Sequence, residues 1–195
     1  LNYSSINSIS CVEEAVYAGT ETQFFRYNNA DNSISTFSKL NGLSDINISA
    51  IKYDQEINVV VIGYQNGNID LFYPNGVVNI PYIKEANIMG SKKINNIFIK
   101  DNMAYLSCSF GLVQLNILDA EILDTYYFIN NGINSNVFNC YIFDDNINDP
   151  NDLFLAGKIF VSTETGIFSA EINNSNLIDP NAWESEFPVF QNNML

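Results

Sequence analysis

Histidine is absent from this 195-residue chain, and basic side chains are few: 8 Lys and Arg against 22 Asp and Glu, a formal net charge of −14. The missing histidine closes Ser-His-Asp and Cys-His catalysis to the chain acting alone, and removes a common zinc ligand. The shortage of cations opposes binding to phosphate backbones, which is driven by Lys and Arg displacing counterions, so no nucleic-acid partner is expected. An anionic membrane face is disfavoured in the same way unless divalent cations bridge the two. The three cysteines, Cys11, Cys108 and Cys140, form no CxxC pair. Each lies in an apolar run ("SISCV", "YLSCSF", "VFNCYIF"), where a free thiol is expected to act as a small core residue; a disulfide between two of them stays open. No stretch approaches the ~20 apolar residues of a membrane span, and neither GxxxxGK[ST] nor GxGxxG occurs. The chain opens "LNYSSINSIS", without initiator Met, basic n-region or apolar h-region, and reads as a segment of a longer protein.

What is present is apolar and turn-rich. Hydrophobic residues make up 47% and charged ones 15%, the balance of a folded module. Proline and glycine are scarce, and Asn clusters between apolar runs, where turns need residues that tolerate positive φ. Residues 41–50, "NGLSDINISA", place a tight turn directly before alternating apolar positions, and residues 130–140, "NNGINSNVFNC", repeat the arrangement. Four segments align around one strand–turn–strand core: "VYAGTETQFFRYN", "VVIGYQNGNIDLFYPN", "YLSCSFGLVQLNILD" and "IFVSTETGIFSAEINN". Their turns fall at Gln23, Gly67, Gly111 and Gly166, spaced 44, 44 and 55 residues apart, and the insertion "DDNINDPNDLFLAGK" explains the longest interval.

Each unit reads as four short strands. In the second, the strand through Ile57, Val59, Val60, Val61 and Ile62 is apolar almost throughout, as expected of a strand covered on both faces. Four antiparallel strands repeating every 40–50 residues are the pattern of a β-propeller blade. The expected fold is therefore all-β: a partial β-propeller over 1–195, with about four blades at 6–40, 46–90, 94–130 and 136–190. It would be part of a larger, seven-bladed ring, with a closed four-bladed ring as the alternative. "NGLSD" and "NNGINSN" are then blade-to-blade connections, and Gly42 and Gly132 supply backbone freedom there.

The repeat resembles the two-component-regulator propeller repeat, whose blades join through "NGL" and a small polar turn. The body resembles the N-terminal propellers of the PorZ-type family, surface components of the type IX secretion system. The resemblance rests on Asn41-Gly42-Leu43-Ser44-Asp45 with Ile48-Ser49 and Ile51. It continues through "YQNGNIDLF" (Tyr64 to Phe72), "KINNI" (Lys93 to Ile97), "AYLS" with "FGLVQLN" (Ala104 to Asn116) and "EILDTY" (Glu121 to Tyr126), covering about residues 8–172. Two departures stand out: no Trp-containing segment precedes the first blade, and Gln23 replaces the turn glycine, so that hairpin must differ. The resemblance implies a non-enzymatic scaffold at the cell surface, outer-membrane associated, working with other proteins of a secretion and sortase assembly that attaches anionic lipopolysaccharide to cargo. Lipopolysaccharide or surface glycan would be met through other domains of the parent protein. The alternative is a periplasmic ligand-sensing propeller of a hybrid two-component regulator; a third reading is a carbohydrate-active propeller enzyme.

For that third reading the carboxylates Asp70, Glu121, Asp124 and Glu164 are candidates, since glycoside hydrolysis needs only paired Asp or Glu; solvated rim positions are the plainer expectation for each. Phe24, Tyr53, Phe98 and Phe143 occupy strand positions and are expected in the core, although rings can also stack on sugars. In the acidic insertion, Asp144, Asn146 and Asn148 mimic the first ligands of a Ca²⁺ loop. The glycine at loop position six is absent, however, and Leu155 stands where a bidentate Glu belongs. No catalytic or cofactor-binding residue is otherwise assigned. Calorimetric titration with millimolar Ca²⁺ tests the loop: a saturable heat establishes the site, and its absence removes it.

Overall fold

The computed structural model describes residues 6–143 and 157–188. The first sheet contains β1 (Ile6–Val12), β2 (Ala15–Thr20), β3 (Phe24–Asn28) and β4 (Ile34–Phe37). The second contains β5 (Ile48–Asp54), β6 (Val59–Tyr64), β7 (Ile69–Tyr73) and β8 (Gly76–Ile80). A one-turn helix α1 (Tyr82–Glu85) leads to the third, formed by β9 (Ile94–Lys100), β10 (Met103–Cys108), β11 (Gly111–Asn116) and β12 (Glu121–Tyr126). A short ladder of β13 (Ile129–Asn130) and β14 (Ile133–Asn134) precedes the fourth sheet: β15 (Val137–Ile142), β16 (Lys158–Thr163), β17 (Gly166–Glu171) and β18 (Glu184–Pro188). In each of the four larger sheets the strands lie in chain order.

The sheets stack as propeller blades. β1 packs beside β5, β5 beside β9 and β9 beside β15, so the first strand of every blade lines the inside of an arc. Among the described residues no comparable contact joins β15 back to β1. Every residue of β6 is buried, because this strand has blades on both sides. Between the second and third blades lies a continuous aliphatic core including Val61, Leu71, Leu106, Leu115 and Ile117.

The four inner strands share one irregularity. Each shifts register near its start, leaving Asn7, Ser49, Asn95 and Phe138 as bulge residues. A bulge re-aims its side chain, and in two blades that side chain bonds the next one. Asn7 Nδ2 donates to the Ile48 carbonyl at 3.1 Å, and Asn95 Nδ2 donates to the Val137 carbonyl at 2.7 Å. Further along β1, the Ser8 and Ser10 hydroxyls accept from the amides of Ile51 and Tyr53 at 3.0 and 3.1 Å.

These serines correct the expectation for Cys11. Successive side chains of a strand point to opposite faces; with Ser8 and Ser10 turned to the second blade, Ile9 and Cys11 point away from it, and both are exposed. Cys108 and Cys140 are buried, and all three thiols are free. Burial pushes the Cys140 thiol up to about 12 and raises Cys108 as well, so neither is a reactive thiolate near neutral pH. The first hairpin differs as its Gln23 implies. Gly67, Gly111 and Gly166 take positive φ and Gln23 does not, while the Thr20 hydroxyl donates to the Gln23 carbonyl at 3.0 Å just as Thr163 does to Gly166 in the fourth blade.

Glycines on β2 and β6 let the first and second junctions close tightly. A Cβ on Gly19 would lie 2.7 Å from Ile48 Cγ2, and one on Gly63 would lie 2.7 Å from Ile94 Cγ2. Gly63→Val is therefore expected to cost about 1–3 kcal/mol by overpacking, read as a lower urea midpoint, with Ile94→Ala in the same chain recovering part of the loss. An unchanged midpoint for the single variant would show that this blade contact does not form in solution.

Candidate functional site

Antiparallel blades bring two kinds of loop to one edge: the hairpin between second and third strands, and the connection to the next blade. Backbone hydrogen bonds tie them together, with the amides of Gln65, Ser109 and Glu164 donating to the carbonyls of Asn47, Lys93 and Asn136 at 2.9 to 3.1 Å. The first two blades are also linked here, the Asn47 amide donating to the Glu21 carbonyl.

The connection through residues 38–47 shows what its motif does. Asn41 closes a turn, accepting from the Ser38 amide and donating through Nδ2 to the Thr36 carbonyl at 3.1 Å. Gly42 has φ +136° with open space around it, so its role is backbone conformation alone. Leu43 is buried in the core between the first two blades. The Ser44 amide then donates to Asp70 Oδ2 at 2.8 Å.

Asp45 and Asp70 anchor a polar network. Asp45 Oδ2 accepts from Lys84 Nζ at 2.8 Å and from Asn66 Nδ2 at 2.7 Å, while its Oδ1 accepts from the Ile46 amide at 3.0 Å. Burial alone would raise the Asp45 pKa, but these hydrogen bonds and the Lys84 charge outweigh it and hold the carboxyl at about 2. Asp70 accepts from the Tyr64 hydroxyl at 2.7 Å and from Asn79 Nδ2 at 2.9 Å. Burial, followed by the Asp70 charge, drives the Tyr64 phenol well above its ordinary range, so it is a permanent donor. Lys92 Nζ donates to the carbonyls of Lys84 and Ala86 at 2.7 and 2.6 Å, fixing α1 against the hairpin.

Asp70 is thus not a solvated rim carboxylate: its exposure is 0% and its oxygens are committed to the fold. Glu121 and Glu164 are exposed and Asp124 is half-buried. The four stand on three different blades. Asp144, Asn146 and Asn148 lie outside the described residues. Among the described residues, no three His, Cys, Asp or Glu gather as metal ligands, and no helix is long and apolar enough to cross a membrane.

The connection edge also exposes apolar side chains. Leu40 and Met89 are 98% and 96% exposed, and Ile46, Tyr82, Tyr127, Ile129 and Ile133 are exposed as well. All seven belong to the three blade-to-blade connections. Apolar residues gathered at one edge with no core to fill mark a surface suited to a partner. Strand periodicity does not reveal them; the available signal was a large apolar residue inside an otherwise Asn-rich, turn-forming connection.

A protein-family model, the N-terminal β-propeller domain of PorZ of the type IX secretion system, matches residues 16–184. No curated protein sequence matches the chain. Among solved structures, PorZ of Porphyromonas gingivalis, described as an essential bacterial surface component of the type IX secretion system, is similar at 26% identity and TM-score 0.76. The match covers 92% of this chain and 22% of that one, so the chain spans about a fifth of its relative's length. The extracellular domain of a B. thetaiotaomicron protein, a putative hybrid two-component system, is similar at 14% identity and TM-score 0.71, covering 97% of this chain and 23% of that one. A computationally designed protein, Ika4, shares the fold at 13% identity and TM-score 0.61, over 87% of this chain and 92% of the design.

The depressed pKa of Asp45 sets a pH dependence. A carboxyl at about 2 when folded and near 3.8 when unfolded contributes stability that is complete above pH 4 and is lost as pH falls toward 2, about 2 kcal/mol in all. Urea midpoints measured across that window are expected to fall more steeply for the native chain than for Asp45→Asn. Parallel curves would mean that the Lys84 and Asn66 contacts are not formed.

Proposed function

Because the chain belongs to the family of PorZ N-terminal β-propeller domains of the type IX secretion system, we propose that it is a docking platform that holds partners and transforms no substrate. The observation that carries this reading is the connection edge. Its motif carboxylates are spent on rigid hydrogen bonds, while its exposed groups are apolar side chains such as Leu40, Met89 and Ile133. A rigid frame with apolar groups at its rim loses little conformational entropy on binding.

The partners in this reading are proteins of the secretion and sortase assembly at the cell surface, associated with the outer membrane. The parent protein supports sortase-linked attachment of anionic lipopolysaccharide to cargo, with the glycan handled by its other domains; a net charge of −14 makes this segment a poor surface for a polyanion. The segment belongs to a larger ring whose remaining blades continue the arc. The sensor alternative rests on fold likeness alone, at 14% identity to a two-component extracellular domain.

Replacing Leu40, Met89 and Ile133 together by Asp in the parent protein tests the platform. Surface changes of this kind are expected to leave the melting midpoint nearly unchanged, while copurification with the sortase of the same secretion system falls at least tenfold. Undiminished copurification would remove the connection edge as the docking surface.

A further inference from the structure

At the edge opposite the connections, the first and second blades part to form a cleft of about 400 Å³, within the size range of small-molecule sites. Its walls include Tyr17 and Arg26 of the first blade and Tyr53 and Phe72 of the second. Arg26 is the only arginine in the sequence. Its Nε is buried and has no hydrogen-bond partner among the described residues, a state that is unfavourable for any polar group and more so for a charged one.

The repeat provides an internal control for this side chain. Arg26 pairs with Tyr17 and Ser35 across its sheet, and Leu71 pairs with Val61 and Val78 at the same register of the second blade. Leu71 is fully buried in the aliphatic core between the second and third blades. The fold therefore closes such a gap with leucine, and a cation is not needed to join two blades. What an arginine supplies is a planar donor fork matched to a carboxylate.

The rest of the lining narrows the ligand. Tyr17 and Tyr53 stack at 5.0 Å between centroids, 17° from parallel, and Tyr17, itself buried, is also stacked on Phe24, which leaves half-buried Tyr53 as the accessible ring of the cleft. Around it stand polar groups able to meet hydroxyls: Ser35, Asn58 and Glu14. The Tyr53 hydroxyl is held by Asn58 Oδ1 at 3.0 Å. An aliphatic acid would leave these groups unused, whereas a polyhydroxylated ring engages them. Glu14 accepts a sugar hydroxyl but repels a second negative charge, which favours a ligand charged at one end.

We propose that this cleft binds a sugar carrying a single carboxylate, of the hexuronate class, with Arg26 holding the carboxylate and Tyr53 flanking the ring. The site lies on the edge away from the docking surface and does not depend on it.

Calorimetry and saturation-transfer NMR with glucuronate, and with glucose as the neutral control, test the proposal. Glucuronate is expected to bind saturably in the millimolar range and glucose at least tenfold more weakly. Arg26→Leu is expected to lose at least tenfold in glucuronate affinity while keeping or raising its melting midpoint, since leucine fills the matching position of the second blade. Should that variant fail to fold, Arg26→Lys serves: it keeps the charge, lacks the fork, and is expected to bind several-fold more weakly. Absence of saturable glucuronate binding, equal binding of glucose, or undiminished binding by a folded Arg26 variant would each overturn the proposal. So would Arg26-dependent binding of a short peptide's C-terminal carboxylate without binding of glucuronate, which would make the cleft a peptide-end site.

Discussion

A four-stranded sheet whose second strand is apolar on both faces cannot be stable alone, and this constraint organises the molecule. β6 is buried along its whole length only because blades lie on either side of it. Burial of apolar area drives the stacking, but burial alone would let two sheets slide over each other. The bulged inner strands prevent this. Asn7 and Asn95 reach the carbonyls of the following blade's inner strand, and Ser8 and Ser10 take its amides. Directional bonds fix the angle between surfaces that hydrophobic contact merely holds together.

The same division of labour appears at the connection edge. Leu43 supplies the apolar anchor, while Asp45 and Asp70 supply direction. A buried carboxylate is costly without donors, and each of these two is given several. Asp70 receives the Tyr64 hydroxyl, the Ser44 amide and Asn79, so the carboxylate is satisfied without a paired cation. Asp45 uses Lys84 and Asn66. The first connection is thereby bonded to a hairpin, to a strand and to α1 of the second blade, and the apolar rim residues project from a fixed base.

The blade architecture was legible because period and turn chemistry agreed. Strand alternation, the 44-residue spacing and the Asn-Gly turns each pointed to four-stranded units, and the family resemblance rested on the same residues. The fates of single polar side chains were not legible. Asn68 and Asp70 look like the solvent face of an alternating strand, yet both are buried, because the preceding connection folds over them through Ser44 and Asp45. Cys11 looks like a core residue, yet it faces away from the second blade. Both misreadings have one cause. Local pattern tells which face a residue takes, and only the neighbouring blade decides whether that face is covered. The cleft at Arg26 escaped notice for the same reason, since its walls come from two repeats.

That reasoning extends to the outer faces of the arc. On the first blade, Ile9 and Ile34 are exposed on strands whose opposite sides pack into the core. On the fourth, Tyr141 contacts Phe143 at 5.0 Å and Phe143 contacts Phe160 at 5.5 Å, both edge to face. Phe138 holds the bulge position that Asn7 and Asn95 occupy elsewhere. A phenyl ring cannot donate to a carbonyl across a blade junction, so whatever meets this face must do so by packing and not through the amide bridge used inside the arc. Aromatic side chains contribute large contact areas of this kind and favour tilted contacts with other rings. The fourth blade thus carries the chemistry of an interior surface without the Asn bridge of the first and third blades, as the second blade also does, where the Ser49 hydroxyl donates to the Gly63 carbonyl of its own sheet at 3.2 Å.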